Sequence, residues 1–588
     1  MIQSFETTTR KVKNRIVIIS LDIFGKPHHF SLRASNCLQE VKMKTIQSLV
    51  LCCVLLCGVA VLGAQAPHWL WARGVGGTGY DEGISITIDN QGNQYVTGRF
   101  ESTVSFGSHI LTSNGWYDMF VAKLDPDGNW LWVVQAGGTA GAEWGGGVAL
   151  DGAGNVYLTG GYGGTVSFGS YTLTSSGYGD MFVAKLDPNG NWLWAVSAGG
   201  GNTDEGNSIA VDGWGNAYVA VHSDSETITI GSCTLTRFGP GMDIYVAKLD
   251  PYGNWLWAVQ AGGPDWYDEG YDIAVDGEGN PWVTGKFQGT ATFGSQTLTS
   301  GGGIDIFVAK LNTNGNWLWA VQAGGTAGDI GYGIAVDGAG NAWVTGIFGL
   351  AASFGSHTLT TNSFGDIFVA KLDPSGNWLW AVQAGGTSDD SGYGIAVDGS
   401  GNAYVTGTYS NNATFGSHSL TAVGGNDIFV AKLDPSGNWL WAASAGGTKP
   451  DEGYYIAVDG SGIAYVTGYY RETGATFGSH ALPPNGYRNI FVAKLGMHPG
   501  AGIPVAPQNL SITRNGTHIF LDWGDVAFDL AGNPVSVDHY LVYYCATGPA
   551  GPFTVFGEDG SITQSQWTHN NAASLSPGFY YVTAVVAD

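Results

Sequence analysis

One acidic position recurs along the chain at a near-constant interval. Asp81, Glu143, Asp204, Asp268, Asp329, Asp390 and Asp451 each stand eight residues before a second aspartate that closes an "IAVD"-type tetrapeptide. Carboxylates at one repeated place form an acidic ring if those places circle an axis. Such a ring attracts hard cations, Ca²⁺ above all, which takes carboxylate and carbonyl oxygens. The competing reading is that each carboxylate caps its own loop by accepting backbone N–H bonds. The second reading is favoured, because a position acidic in every copy is what the repeat itself requires. A weak Ca²⁺ site is the chemistry left open, and no other cofactor is expected.

Two further aspartates keep step with the first. One set closes the tetrapeptide (Asp89, Asp151, Asp212, Asp276, Asp337, Asp398, Asp459). The other precedes a "FVAKL" segment (Asp118, Asp180, Asp243, Asp305, Asp366, Asp427), with Asn489 as the exception. Together with the lysine of each "FVAKL" segment they read as turn anchors and ion partners. The net charge of −25 is thus largely a by-product of the repeat, although its sign argues against nucleic acid as a partner. His109, His357, His418 and His480 share one place in an "FGSH" turn, one per copy, too dispersed for a metal centre. No "GxSxG", P-loop or "HExxH" motif is present, and no catalytic residue is assigned.

The aromatic residues divide in the same way. Seven Trp-Leu-Trp tripeptides hold 14 of the 22 tryptophans, and alternation along a strand puts both rings of each on one side and Leu on the other. Repetition points to packing between sheets rather than to stacking on sugars. Aromatics that differ between copies are freer to bind. Trp116, Trp144 and Trp266, with Tyr117, Tyr178 and Tyr267 near them, are the candidate binding residues, expected in connecting loops.

These residues need a scaffold, and the repeat supplies one. The Trp-Leu-Trp copies begin at Trp69, Trp130, Trp192, Trp255, Trp317, Trp378 and Trp439, in steps of 61, 62, 63, 62, 61 and 61 residues. A period of this size signals a solenoid or a propeller. Within one copy, "YGIAVDGAGNAWVTGIF" gives two strands about an Asp-x-x-Gly-Asn turn, and "DIFVAKLDPSGNWLWAVQ" gives two more about a similar turn. Four short antiparallel strands make one propeller blade. The connection between the second and third strands carries a pattern such as "ATFGSQTLTS", which predicts an extra hairpin.

The ends complement each other. The first Trp-Leu-Trp has no "FVAKL" strand before it, and the last, Phe491 to Leu495, has no Trp-Leu-Trp after it. Pairing the two closes a ring without a long open edge. The expected fold is all-β: a seven-bladed β-propeller of four-stranded antiparallel blades over 67–496, closed by the N-terminal strand and followed by a partial β-sandwich. With 94 glycines, 13% aromatic residues, and only Cys233 and Cys545 outside the N-terminal region, the chain is a turn-rich fold that stands without disulfides.

"GGTSDDSGYGIAVDGSGNAYVTG" from Gly385, followed by "DIFVAKL", resembles the bacterial SBBP β-propeller repeat, and the likeness extends over residues 69–495. That resemblance implies a secreted or surface protein with a binding or structural role, and it transfers no catalytic residue. After a linker at 497–503, residues 504–588 resemble a fibronectin type III sandwich. Trp523 would be its buried aromatic and Tyr581 its corner tyrosine, with the last strand missing, as in a truncated chain. Near the N-terminus, Lys44, the apolar run 49–63 and Ala64-Gln65-Ala66 read as a signal peptide over 43–66, with 1–42 as a mis-called extension. The expectation is a secreted or cell-surface, non-catalytic scaffold, monomeric and without a membrane span in the mature chain, presenting loops to a glycan or protein. The alternative is a carbohydrate-active hydrolase or lyase using carboxylates at the mouth of the propeller.

Overall fold

The computed structural model describes residues 67–139, 141–361 and 363–496, together with the backbone of six strands between Ser511 and Val586. The expected signal peptide, the extension before it, the linker 497–503 and Trp523 lie outside the described residues. The chain divides into two units, 64–496 and a second that contains 497–588.

The larger unit is an all-β propeller arrangement built from a recurring four-stranded antiparallel sheet. In one copy, Asp204–Val211, Ala217–Ser223, Asp243–Leu249 and Trp255–Ala261 pair in chain order. The turns follow from residue chemistry. Asp212 Oδ1 accepts the N–H groups of Trp214 and Asn216, both at 2.9 Å, and Gly215 takes the left-handed conformation (φ 83°) that the turn demands. Where the chain has Asp-x-x-Gly-Asn, the fold has this same fastening.

The Trp-Leu-Trp strands depart from simple alternation. Leu186 pairs with Trp192, but Lys185 pairs with Trp194, so Leu193 is an extra residue in a β-bulge. The bulge resets the alternation, and the two rings do not share a side as the sequence pattern had suggested. Trp192 packs into the cluster shared with the preceding copy, and Trp194 into the cluster shared with the following one. The leucine between them is exposed. Each Trp-Leu-Trp strand therefore fills two inter-sheet spaces.

The extra hairpins are formed. Thr227–Ile230 and Cys233–Thr236 pair about Gly231 (φ 61°), and the first of them also pairs with Gly199 and Gly200 of the preceding copy. Neighbouring sheets are thus clasped by hydrogen bonds as well as by packing. First strands contact first strands from copy to copy, and Glu452–Val458 of the last packs against Glu82–Ile88 of the first. The last sheet is completed by the strand His68–Val75, which pairs antiparallel with Arg488–Gly496, Val75 opposite Ile490 and Trp69 opposite Leu495.

In the second unit, Ser511–Asn515, His518–Asp522 and Gln566–His569 form one antiparallel sheet, and Thr554–Phe556, Val537–Cys545 and Phe579–Val586 form another. Tyr581 lies in the last of these strands, opposite Tyr543.

Candidate functional site

The seven recurrent acids are all buried, and their oxygens engage their own loops. Asp329 accepts the Gly325 N–H at 2.8 Å through one oxygen and the Gly349 N–H at 2.9 Å through the other. Asp390 does the same with Gly386 (2.9 Å) and Ser410 (2.8 Å), and Asp451 with Gly447 (2.7 Å) and Arg471 (2.9 Å). Six of the seven carboxylates tie the entry of a first strand to the exit of a second in this way, whereas Glu143 accepts, among the described residues, only the Gly138 N–H, at 3.2 Å. Burial pushes Asp268, Asp329, Asp390 and Asp451 up to about 7, Asp81 and Asp204 to about 6, and Glu143 to about 8, against N–H bonds that pull the other way. Among the described residues, no three His, Cys, Asp or Glu side chains gather as a cation-binding set.

The tetrapeptide aspartates behave differently. Burial alone would raise Asp151, but hydrogen bonds from Asn155 and the Lys185 ammonium at 3.2 Å hold its carboxyl below the ordinary value. Lys185 also lies 4.4 Å from the centre of the Tyr157 ring.

The six aromatic candidates are not gathered at one place. Trp116 (77% exposed), Tyr178 (84%) and Trp266 (61%) stand on connecting loops of different copies, and no ring contact joins them among the described residues. Tyr117 lies under the Arg99 guanidinium at 5.1 Å, and Tyr267 beside Lys286 at 5.5 Å. Trp144 is not in a loop. It opens the first strand Trp144–Leu150 and lies half-buried over Gly161, whose missing side chain makes room for the ring.

A cluster that the sequence reading passed over lies where the chain's two ends meet. Glu82, buried, accepts Arg99 Nη2 at 2.6 Å and Nε at 2.9 Å through one oxygen, and Arg488 Nη1 through the other. The Arg488 guanidinium stacks 4.3 Å from the Tyr469 ring and 5.6 Å from Tyr80. Tyr80 and Tyr487 lie 4.8 Å apart, and Arg471 is 5.3 Å from Tyr487 while donating to its hydroxyl at 3.3 Å. The first copy supplies Tyr80, Glu82 and Arg99, and the last supplies Tyr469, Arg471, Tyr487 and Arg488. A signal was present in the sequence. Between residues 67 and 496 the chain has five arginines, Arg73, Arg99, Arg237, Arg471 and Arg488, and three of them are here. None occupies a position that the repeat fixes: the residues matching Arg99 in the next three copies are Gly161, His222 and Lys286.

Further in, the axis is filled. Tyr271, Tyr332, Tyr393 and Tyr454 lie in contact along consecutive first strands, with centroids 5.3–5.9 Å apart. Asp272 accepts Ser208 Oγ at 2.6 Å, the Ile334 N–H at 2.8 Å and the Tyr455 hydroxyl at 3.3 Å from a distant copy. No helix among the described residues is long and apolar enough to cross a membrane, which says nothing of a β-barrel.

The sequence pattern of the SBBP β-propeller repeat matches residues 379–413. The chain is 24% identical over 513 residues to an uncharacterized WD repeat-containing protein, L264, of Acanthamoeba polyphaga mimivirus, covering 69% of this chain and 36% of that protein. It is 28% identical over 125 residues to the regulatory protein FlaEY of Caulobacter vibrioides, covering 21% of this chain and 13% of that one. The chain thus spans little more than a third of one relative's length and less of the other's. Among solved structures it is similar to a gluconolactonase from Xanthomonas campestris (12% identity, TM-score 0.29, 58% of this chain and 90% of that one). It is also similar to a puromycin hydrolase (11% identity, TM-score 0.28, 70% and 59%). With the repeat match and the sheet arrangement together, the chain is a β-propeller repeat protein.

Proposed function

We propose that this chain is a secreted or cell-surface, non-catalytic binding scaffold whose propeller presents the Tyr80–Tyr487–Arg488 corner to a glycan. In this reading the propeller has seven blades, closed by the N-terminal strand. A fibronectin type III-like sandwich follows, and the signal-like segment 43–66 directs export. The observation that carries the function is the clustering of residues that depart from the repeat. Exposed tyrosine rings suit the C–H faces of sugars, and the partly exposed guanidiniums of Arg99 and Arg488, held in place by buried Glu82, suit hydroxyl acceptors beside them. Trp116 of the first copy and Tyr178 of the next extend the same loop face. On a glycan array, the doubly substituted Tyr80→Ala, Tyr487→Ala protein should bind at least about tenfold more weakly, a loss of roughly 1.4 kcal/mol. Trp214→Ala, at an exposed turn tip, should bind as before. Unchanged binding in the double variant overturns the assignment, and a wild-type chain that captures a protein but no glycan identifies a protein ligand instead.

A second reading, a glycan hydrolase or lyase, draws on one observation. Burial raises the Glu205 carboxyl, which lies 3.5 Å from His222 and in the electrostatic field of Glu269, an arrangement that sets a candidate proton donor beside a second carboxyl group. Turnover of an array polysaccharide that is abolished by Glu205→Gln would favour this reading over the scaffold.

A further inference from the structure

Six of the seven recurrent buried acids, all but Asp81, have a second carboxylate close by, from the set that precedes the third strand of the copy before it. A Cβ placed on Gly324 would lie 2.8 Å from Asp305 Oδ1 and 2.9 Å from Asp329 Oδ2. On Gly262 it would lie 2.7 Å from Asp243 Oδ1 and 3.2 Å from Asp268 Oδ2, and on Gly385 the pair Asp366 and Asp390 is met in the same way. The two acids of a pair thus bracket one backbone point, and glycine leaves nothing between them.

The outer oxygens are spoken for. Asp243 Oδ2 accepts the Phe238 N–H at 2.9 Å, Asp305 Oδ2 that of Gly301 at 2.9 Å, and Asp427 Oδ2 that of Val423 at 2.8 Å. In four of the six pairs one oxygen is left over, whereas Asp366 Oδ1 accepts Ser363 Oγ at 2.6 Å and both oxygens of Asp180 accept from Ser176. Asp243 Oδ1, Asp305 Oδ1 and Asp427 Oδ1 are buried without a hydrogen-bond partner in side chains that are 1% exposed, and Glu143 Oε1 is equally bare beside Asp118. An unpartnered buried carboxylate oxygen is costly, and two ionised carboxylates on either side of one Cβ position cost more. A single proton removes both costs, because the protonated oxygen then donates to the acid it faces.

We propose that each of the four seams with an unpartnered oxygen holds one proton between its two buried carboxylates at neutral pH, so that the propeller is an acid-stabilised structure. The last copy differs in charge: the position of the second carboxylate is taken by Asn489, whose amide donates to the Tyr470 and Gly486 carbonyls and which has no charge to lose. A bridging cation would instead call for both charges in every copy.

The other charged groups facing these pairs are few. Asp265 faces Asp268, Arg237 faces Asp243, Arg471 faces Asp451, Asp389 faces Asp366 and Asp390, and Glu82 and Glu101 face Asp81. Asp305 and Asp427 are raised to about 6 and their partners Asp329 and Asp451 to about 7, above the ordinary 3.8 of the unfolded chain. Unfolding therefore releases protons. The stabilisation is complete below the unfolded value and is lost as pH rises through the folded values, with each pair titrating as a unit.

The test is thermal unfolding of the wild-type chain and of Asp243→Asn, Asp305→Asn, Asp427→Asn, which copies what the last seam already has. The wild-type Tm should fall by about 10 °C between about pH 5 and pH 8. The variant should fall by clearly less and be the more stable of the two at pH 8. If the variant does not fold, the infrared C=O band of protonated carboxyl groups in the wild-type chain at pH 6.5 gives the same information. A Tm flat with pH, parallel profiles for the two proteins, or absence of that band overturns the proposal. So does a rise in Tm at pH 8 on adding Ca²⁺ that the variant lacks, which would place a cation where the proton is proposed.

Discussion

At the scale of the residue, the same side chain type does two opposite electrostatic jobs, and its surroundings decide which. Asp151 is held ionised by the N–H groups of Ala153 and Asn155, the Asn155 amide and Lys185. Asp151→Ala leaves those donors and a buried ammonium unpaired and should cost about 2–4 kcal/mol in denaturant unfolding. Its folded value is depressed, so its contribution is present above the unfolded value near 3.8 and is lost as pH falls below that. The cost of Asp151→Ala should therefore shrink in strong acid, and a cost equal at pH 7 and pH 3 would sink this account. That the recurrent acids belong to the fold was legible from the sequence, because repetition marks structural duty. Their pairing across seams was not, since Asp305 and Asp329 are joined by a sheet-to-sheet approach that no local pattern encodes.

At the scale of the element, the bulged Trp-Leu-Trp strand is the device that joins one sheet to the next. Trp194 donates through Nε1 to the Pro251 carbonyl of the following copy at 3.2 Å, while Trp192 meets Phe168 of its own hairpin edge-on at 5.2 Å. Trp194→Ala should cost about 3–5 kcal/mol by opening the space between two sheets. Leu193→Ser, one residue away but exposed, should change stability by no more than about 0.5 kcal/mol. Chemical denaturation of the two variants checks the contrast, and comparable losses would mean that the bulge does not divide the two tryptophans as described. The four strands, both turns and the extra hairpin could be read from periodicity and Asp-Gly-Asn chemistry. The bulge could not, because a period-2 reading assumes the regularity that Leu193 breaks. Trp144 was misplaced for a related reason: a tryptophan amid glycines looks like a loop, yet here those glycines make room for the ring on a strand.

At the scale of the molecule, closure and the candidate site depend on the same short segment. The strand His68–Val75 is separated by some four hundred residues of chain from the sheet it completes, yet it supplies both of that sheet's inter-sheet tryptophans. Trp69 donates to the Ser444 carbonyl at 3.0 Å and meets Phe477 edge-on at 5.0 Å. Trp71 donates to the Pro126 carbonyl of the first copy at 3.1 Å, and Arg73 donates to the Gly128 carbonyl at 2.9 Å. Without this strand, Arg488–Gly496 would present an open edge, and Tyr487 and Arg488 would lose their fixed place beside Tyr80 and Glu82. Deleting residues 67–75 should therefore lower Tm by more than about 10 °C, where a frayed terminus would lower it by about 2 °C or less. The freed edge should also promote association between chains. A synthetic peptide of residues 67–76 added in trans should restore Tm and glycan binding together, because one strand supports both. Recovery of Tm without recovery of binding would separate the site from the closure, and a deletion variant as stable as the parent would remove the closure itself.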